Sequence, residues 1–149
     1  MDKIIKSILN KLNNEGYEAY IVGGYVRDYL LGIKSMDIDI CTNALPKNIH
    51  KIFLDNSSSN SYGGFNLKLN GYNIDITTFR RELLYDKRKP VEIEYINSLK
   101  EDILRRDFTI NTICMDKDEK IIDLLDGIND LNNRVIKMHG DIKKKLVED

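Results

Sequence analysis

The tetrapeptide Asp37-Ile38-Asp39-Ile40 constrains the fold of this chain more than any other segment. Polar and apolar residues alternate in it, as they do in a half-buried strand. Residues i and i+2 of a strand share a face, with Cα atoms about 6.5 Å apart, so both carboxylates should point away from the core. Two carboxylates this close repel each other unless a cation neutralises them, and hard oxygen ligands suit Mg²⁺. The pattern predicts a divalent-metal site, although a solvent-exposed strand face would give the same pattern.

A glycine pair precedes these aspartates. The apolar run Ala19–Val22 ends in Gly23-Gly24, and apolar residues then recur at helical spacing. This pattern predicts a strand, a glycine turn and a short helix. Exposed backbone N–H groups and the positive end of the helix dipole can cradle a phosphate at such a turn, with Arg27 one turn into the helix. A glycine pair is equally typical of a plain tight turn.

Asp75 is a third acidic candidate. It lies in the alternating segment 73–77, whose two isoleucines should face the core and leave Asp75 on the opposite side. If this strand is next to that of Asp37 and Asp39, three carboxylates converge. Otherwise Asp75 is a surface residue of an edge strand, because one sequence does not fix the register of strand pairing.

A basic and polar cluster follows within the segment 99–115, which we expect to be helical. Arg105, Arg106, Asp107 and Asn111 lie within one or two helical turns of each other. The bidentate geometry of guanidinium groups suits a triphosphate, whereas Asp and Asn suit ribose hydroxyls or base edges. The alternative is a surface helix with ordinary Arg–Asp pairs.

Other segments predict a small mixed sheet with helices packed on it, which is an α/β or α+β fold class. Helical spacing and alternation predict further elements: helices near residues 4–12, 46–53 and 128–131, and strands at 65–69, 72–79 and 121–122. Asn70-Gly71 should form a hairpin turn between two of these strands. The serine-rich segment 56–61 predicts a polar loop, and the charged segment 80–90 predicts a mobile one.

Composition bounds the class of protein. A chain of 149 residues, 42% of them hydrophobic, is long enough for one domain with a core. Lys and Arg total 23 against 24 for Asp and Glu, so net charge neither demands nor excludes a polyanionic partner. Cys41 and Cys114 lack metal-site spacing and should be buried thiols. No apolar run approaches the ~18 residues of a membrane span and no signal peptide is evident, so we expect a cytoplasmic protein without membrane contact.

Taken together, the motifs resemble the catalytic head domain of class II tRNA nucleotidyltransferases, the family of CCA-adding enzymes and bacterial poly(A) polymerases. Residues 20–40 resemble the family's catalytic motif, residues 74–80 the strand before a flexible basic loop, here 81–90, and residues 105–111 the motif concerned with ribose and triphosphate. The stretch 123–132 is similar to the family's Asp-Pro-x-x-Gly-x-x-Asp-Leu segment without its proline, and we interpret it as structural.

The resemblance implies a DNA polymerase β-like nucleotidyltransferase fold and a set of site residues. Asp37 and Asp39 would bind Mg²⁺ and form the catalytic set with Asp75, whose role as a metal ligand is less uniform in the family. The residues assigned to nucleotide binding are Gly23, Gly24, Arg27, Arg106, Asp107 and Asn111.

The resemblance further implies transfer of CMP and AMP from CTP and ATP to the 3′ end of tRNA. In the family, a neck domain opening with Glu-Asp-x-x-Arg selects the base, and body and tail domains hold the tRNA. We therefore expect a head domain at residues 1–140, the start of a truncated or missing neck domain at 141–149, and weak tRNA binding by this chain alone. Alternatives are a poly(A) polymerase head, a stand-alone transferase with another acceptor, and a non-catalytic nucleotide-binding module.

Overall fold

The computed structural model describes residues 1–53, 57–59, 64–86 and 89–134. The helices are α1 (Lys3–Asn14), α2 (Gly24–Leu30), α3 (Pro46–Ile52), α4 (Leu99–Leu104) and α5 (Gly127–Asn132), with a 3₁₀ helix at Thr109–Asn111. The strands are β1 (Ala19–Val22), β2 (Asp37–Thr42), β3 (Ser57–Ser59), β4 (Gly64–Leu69), β5 (Tyr72–Thr78), β6 (Arg80–Asp86), β7 (Lys89–Tyr95), β8 (Cys114–Met115) and β9 (Ile121–Ile122). The expected domain boundary at residue 140 and the expected neck segment lie outside the described residues.

The main sheet is mixed, which confirms the predicted fold class. Its strand order in the described residues is β3-β4-β5-β2-β1-β8-β9, and β6 and β7 pair separately. Strand β2 runs parallel to β5 on one side and antiparallel to β1 on the other. Residues 39–42 of β2 pair on both edges, whereas Asp37 and Ile38 pair with β5 alone, so the sheet holds Asp39 by two ladders of hydrogen bonds and Asp37 by one.

One face of this sheet carries the main core. Ile38, Ile40, Ile74 and Ile76 on β2 and β5 are almost completely buried on this face. The apolar stripe of α1 packs into the same cluster, and Asp2 caps that helix by accepting a hydrogen bond from the backbone N–H of Ile4. Because side chains alternate along a strand, the odd-numbered residues of β2 and β5 point to the opposite face.

The predicted mobile loop at 80–90 is wrong for the residues that the structure describes. Strands β6 and β7 form an antiparallel hairpin in which Arg81 is opposite Glu94. The Arg81 guanidinium lies 3.1 Å from the Glu94 carboxylate and 2.7 Å from that of Glu101 on α4. The hairpin is outside the main sheet, so its sequence lacks a clean alternation of buried and exposed residues, and cross-strand pairing replaces that signal.

The predicted continuous helix over 99–115 is also wrong. Helix α4 ends at Leu104, a 3₁₀ turn follows, and β8 begins at Cys114. Phe108 has an extended backbone, and the buried Thr112 hydroxyl donates a hydrogen bond of 2.6 Å to the Thr109 carbonyl. Threonine side chains compete with helical hydrogen bonds in this way, and the neighbouring isoleucines are β-branched, so the segment 109–115 does not resume the α-helix.

The segment 123–132 has the structural role that we expected. A Cβ atom on Gly127 would lie 2.2 Å from the carbonyl oxygen of Thr109, so only glycine allows α5 to approach the 3₁₀ helix this closely. The Thr109 hydroxyl donates a 2.6 Å hydrogen bond to Asp130, which fixes the same contact. Helix α5 therefore supports the backbone that carries Asn111.

Three further predictions from the sequence can be compared with the structure. The Asn70-Gly71 hairpin turn between β4 and β5 is confirmed, with both residues at positive φ. The polar loop at 56–61 is wrong at 57–59, where Ser57–Ser59 pairs with β4; its other residues lie outside the described ranges. Cys41 and Cys114 are free and buried, as expected. Within the described ranges, no helix is both long enough and apolar enough to span a membrane.

Candidate active site

Two aspartates of β2 form the centre of the candidate site. Asp37 and Asp39 are exposed, whereas Ile38 and Ile40 between and after them are buried. Both carboxylates therefore lie on the face of the sheet opposite α1, where the alternation predicted them. Their position on a central strand gives them a rigid backbone.

Asp75 lies directly beside Asp39. Strands β2 and β5 are parallel neighbours, and the register pairs Asp39 with Asp75 and Asp37 with Asn73. The predicted convergence of three carboxylates on one face is therefore present in the structure. Asp75 is half-buried, and one of its carboxylate oxygens accepts a 2.8 Å hydrogen bond from the Asn66 side chain.

Two asparagines that the sequence analysis did not assign hold these carboxylates. The Asn73 amide donates to Asp37 at 3.3 Å, and the Asn66 amide donates to the Asn73 amide oxygen at 2.8 Å as well as to Asp75. Asn66 lies on β4 opposite Asp75. The same alternation that exposed Asp75 places both asparagines on its face, so this signal was available in the sequence.

The electrostatics of Asp39 favour a cation. Although the side chain is accessible to solvent, neighbouring protein atoms desolvate the carboxylate and raise the pKa of Asp39 above the ordinary 3.8. Arg106 opposes this increase, and the charges of Asp75 and Asp37 add to it. A carboxylate with a raised pKa is destabilised in its charged form, and a bound cation would relieve that cost.

The oxygen donors of this site suit a metal held by two carboxylates better than one held by three or more protein side chains. Among the residues that the structure describes, no three His, Cys, Asp or Glu side chains are grouped closely enough to hold an ion by themselves. Two adjacent exposed carboxylates nevertheless suit Mg²⁺, which usually binds through one or two carboxylates and completes its shell with water and substrate phosphates. Asp37 and Asp39 fit that role.

The glycine turn lies against the same carboxylates. Gly23 has φ of +85°, and a Cβ atom built on it would lie 3.6 Å from an oxygen of Asp39. A Cβ atom on Gly24 would lie 3.3 Å from the Arg27 guanidinium. The turn therefore needs the first glycine for its backbone conformation, and Arg27 folds back over the second.

Arg27 and Asn111 are brought together across the site. The Arg27 guanidinium donates to the Asn111 side-chain oxygen at 3.1 Å and to Asp28 at 3.0 Å. These contacts fix the arginine beside the glycine turn. Asn111, expected in a sugar pocket, is thus a direct partner of Arg27, and Asp28 is a second partner that the sequence analysis did not assign.

Arg106 belongs to a buried ion-pair cluster. Its guanidinium lies 3.2 Å from Asp102, a completely buried carboxylate within α4. The charge of Arg106 also reaches Asp39, whose pKa it lowers. Asp107 is half-buried next to Arg106 in the chain. Arg105 and Arg106 follow Asp102 at i+3 and i+4. This helical spacing was the sequence signal that could have identified Asp102 as their partner.

Comparisons with known proteins identify the family of the chain. The model of the poly A polymerase head domain family matches residues 19–137. A CCA-adding enzyme of Staphylococcus haemolyticus is 46% identical over 146 residues, which cover 97% of this chain and 36% of the relative.

Solved structures show the same similarity. The Bacillus stearothermophilus CCA-adding enzyme in complex with CTP superposes with a TM-score of 0.84 at 34% identity, covering 100% of this chain and 37% of the other. A tRNA nucleotidyltransferase complexed with a primer tRNA and an incoming ATP analog gives 0.71 at 32% identity, covering 87% and 38%. The chain thus spans little more than a third of these relatives. The match over most of its residues shows that this chain belongs to the poly A polymerase head domain family.

Proposed function

We propose that this chain is the catalytic head of a magnesium-dependent nucleotidyltransferase that adds CMP and AMP from CTP and ATP to the 3′ end of tRNA and releases pyrophosphate. The observation that carries the proposal is the convergence of Asp37, Asp39 and Asp75 beside a glycine turn and the Arg27 guanidinium. The names of the similar proteins, a CCA-adding enzyme bound to CTP and a tRNA nucleotidyltransferase with primer tRNA and an ATP analog, support the choice of substrates.

Asp37 and Asp39 are the residues that would hold the metal. When bound, Mg²⁺ supplies positive charge at the reacting phosphate and lowers the pKa of the attacking hydroxyl. Asn73 and Asn66 orient the carboxylates of Asp37 and Asp75, so the side chains meet the substrate in fixed positions. Such preorganisation is the main contribution that a protein makes to phosphoryl-type transfer.

The remaining site residues bind the nucleotide. The Gly23-Gly24 turn leaves room for phosphate oxygens near the backbone, and Arg27 is held beside it by Asp28 and Asn111. Arg106 adds a guanidinium whose positive charge acts on Asp39. Asp107 faces the ribose in this proposal, and Asn111 contributes to the sugar pocket through the edge that Arg27 leaves available. Guanidinium groups at these positions suit the bidentate geometry of phosphate.

The proposed substrate implies a cellular location. A protein that acts on tRNA ends belongs in the cytoplasm, and this location is part of the proposal. We expect tRNA to bind weakly to this chain alone, because its net charge is close to zero and almost two thirds of the similar Staphylococcus haemolyticus enzyme lies outside the match.

A poly(A) polymerase head is the second candidate, because the matched family carries that name. The full chain should be incubated with Mg²⁺, labelled CTP or ATP, and either a tRNA lacking its CCA end or an unrelated RNA. Incorporation of both nucleotides into the tRNA supports the first proposal. Incorporation of ATP alone into both RNAs supports the second.

Absence of Mg²⁺-dependent nucleotide binding would contradict both candidates. Binding should therefore be measured in parallel with transfer, with CTP and ATP at equal concentrations. The control is the Asp37→Ala, Asp39→Ala double variant, which keeps the fold and lacks the carboxylates that would hold the metal.

A further inference from the structure

A buried charge cluster joins the β6–β7 hairpin to α4 and to the two arginines that follow it. Asp102 is completely buried, and its two carboxylate oxygens accept hydrogen bonds from three groups: the Arg80 backbone N–H at 3.0 Å, Arg105 at 3.1 Å and Arg106 at 3.2 Å. Carboxylates are seldom buried unless they are paired, and each removed partner would leave a costly charge. Asp102 is therefore the anchor of this cluster.

The cluster continues into the hairpin. Glu82 lies 2.6 Å from the Arg80 guanidinium and 3.5 Å from that of Arg105, and its side chain is only 7% exposed. The five side chains of Arg80, Glu82, Asp102, Arg105 and Arg106 carry three positive charges and two negative ones. Such a set has an excess of one positive charge, which would attract a polyanionic ligand.

We propose that Asp102 is a positioning residue for nucleotide binding: it holds the Arg106 guanidinium in the orientation that meets the triphosphate and aligns the first residue of the hairpin with the site. This inference rests on the proposed function. Two observations carry it. Asp102 contacts Arg106 directly, and the next residue of α4, Ile103, packs in one buried cluster with Cys41, which lies two residues after Asp39 on the same face of β2.

The test separates phosphate recognition from general stability. The full chain and its Asp102→Asn variant are titrated with ATP and with AMP in Mg²⁺, and the ratio of the two affinities is compared. If Asp102 acts through Arg106, the variant loses on the order of tenfold or more in ATP affinity, the scale of a charged hydrogen bond, and keeps its AMP affinity within about twofold. A merely structural role would weaken both ligands alike and leave the ratio unchanged, which would overturn the proposal.

A double variant tests the route. In the Arg106→Ala background, Asp102→Asn should cause no further loss of ATP affinity, because the residue through which it acts is already absent. Additive losses would show that Asp102 does not act through Arg106 and would overturn the proposal. The matched control is Asp2→Asn, which removes a carboxylate that accepts two hydrogen bonds, from Ile4 and Tyr72, at the start of α1. It should lower the melting temperature without changing the ATP to AMP ratio.

Asp102→Asn places a neutral amide among buried guanidinium groups. The uncompensated buried charge can prevent folding. Thermal melting checks this first, and if the variant is unfolded, Asp102→Glu replaces it. That variant keeps the charge but moves the carboxylate by one methylene, so the ATP to AMP ratio should still fall severalfold; an unchanged ratio in a folded Asp102→Glu variant overturns the proposal. If the parent chain itself does not bind ATP, the proposed function fails, and that result is distinct from a variant that binds with an unchanged ratio.

Discussion

The two halves of the candidate site are held by different forces. The carboxylates of Asp37, Asp39 and Asp75 lie on adjacent central strands, so backbone hydrogen bonds fix their spacing. Arg106 and the start of the hairpin depend instead on side-chain contacts with one buried carboxylate, Asp102. The first half should tolerate side-chain substitution without loss of structure. In the second half, structure and ligand binding depend on the same charges, so they should change together.

The largest effect should come from substitutions in the half of the site that lies on the sheet. Asp37→Ala or Asp39→Ala should lower Mg²⁺-dependent pyrophosphate release on the order of 10³-fold or more, the scale for losing a main electrostatic element of a site. The melting temperature should not fall, because both side chains are exposed and carry no core contacts. Turnover assays and thermal melting of each variant test this. Near-normal turnover in either variant would refute the metal assignment.

Arg106→Ala should give the next largest effect, in the other half. We expect weaker binding of CTP and ATP alike by about 1.5–3 kcal/mol, the range for a charged hydrogen bond. Stability should also fall, because the variant leaves Asp102 with one partner fewer in a buried position. Calorimetric titration and chemical denaturation measure the two quantities.

Arg81→Ala is the matched control for this variant, since it removes an exposed guanidinium of the same hairpin that makes two surface ion pairs. Exposed pairs contribute about 0–1 kcal/mol, so both nucleotide affinity and stability should change little. A loss confined to CTP or to ATP in Arg106→Ala would mean that Arg106 contacts the base.

The same contrast explains what the sequence could predict. Strand alternation correctly placed Asp37 and Asp39 on the solvent face, because a period of two residues requires nothing beyond the segment itself. The pairing of Asp39 with Asp75 depends on strand order and register, which no local pattern determines, so it stayed conditional until the structure showed it.

The second half was harder to predict for a physical reason. The hairpin is joined to α4 by the contacts of Arg81 with Glu101 and of the Arg80 N–H with Asp102, and these contacts have no periodic trace in the sequence. Judged by composition alone, the charged segment 80–90 is typical of a loop. The non-helical segment 109–115 was missed because the Thr112 hydroxyl bonds to the Thr109 carbonyl, a local competition that helical spacing does not reveal. The role of Asp102 follows from its burial. The sequence does not show that an acidic residue in a charged segment is buried.

Asn66→Ala should have an intermediate effect that sharpens the comparison. Asn66 donates hydrogen bonds to Asp75 and Asn73, so its loss should let the carboxylates reorient although the strands stay paired. Turnover should fall about tenfold, the lower end for residues that orient metal-site ligands, and stability by about 0.5–1.5 kcal/mol. Lys68→Ala, an exposed position two residues further along β4, is the control and should change neither. Equal turnover in the two variants would show that the carboxylates are held by the backbone alone.

The smallest effect concerns the charge of Asp39 without metal. Its pKa is raised mainly by desolvation and further by Asp75 and Asp37. The folded chain therefore binds this proton more tightly than the unfolded chain does, and the ionised side chain disfavours folding at any pH above the raised pKa. Asp39→Asn removes that charge. In a chelating buffer at pH 7, the variant should melt a few degrees higher than the parent chain.

The pH dependence gives the sign of this prediction. The disfavouring contribution is complete above the raised folded pKa and vanishes as the pH falls below the ordinary value of 3.8, where Asp39 is protonated in both states. The melting advantage of Asp39→Asn should therefore be largest near neutral pH and shrink as the buffer becomes more acidic. Added Mg²⁺ should reverse the order, because it stabilises the folded parent chain and has one ligand fewer in the variant. Melting curves from pH 4 to pH 7, with and without Mg²⁺, measure both trends. An advantage that does not depend on pH would mean that packing, and not charge, distinguishes the two side chains, and the carboxylates would then not be electrostatically strained in the absence of a cation.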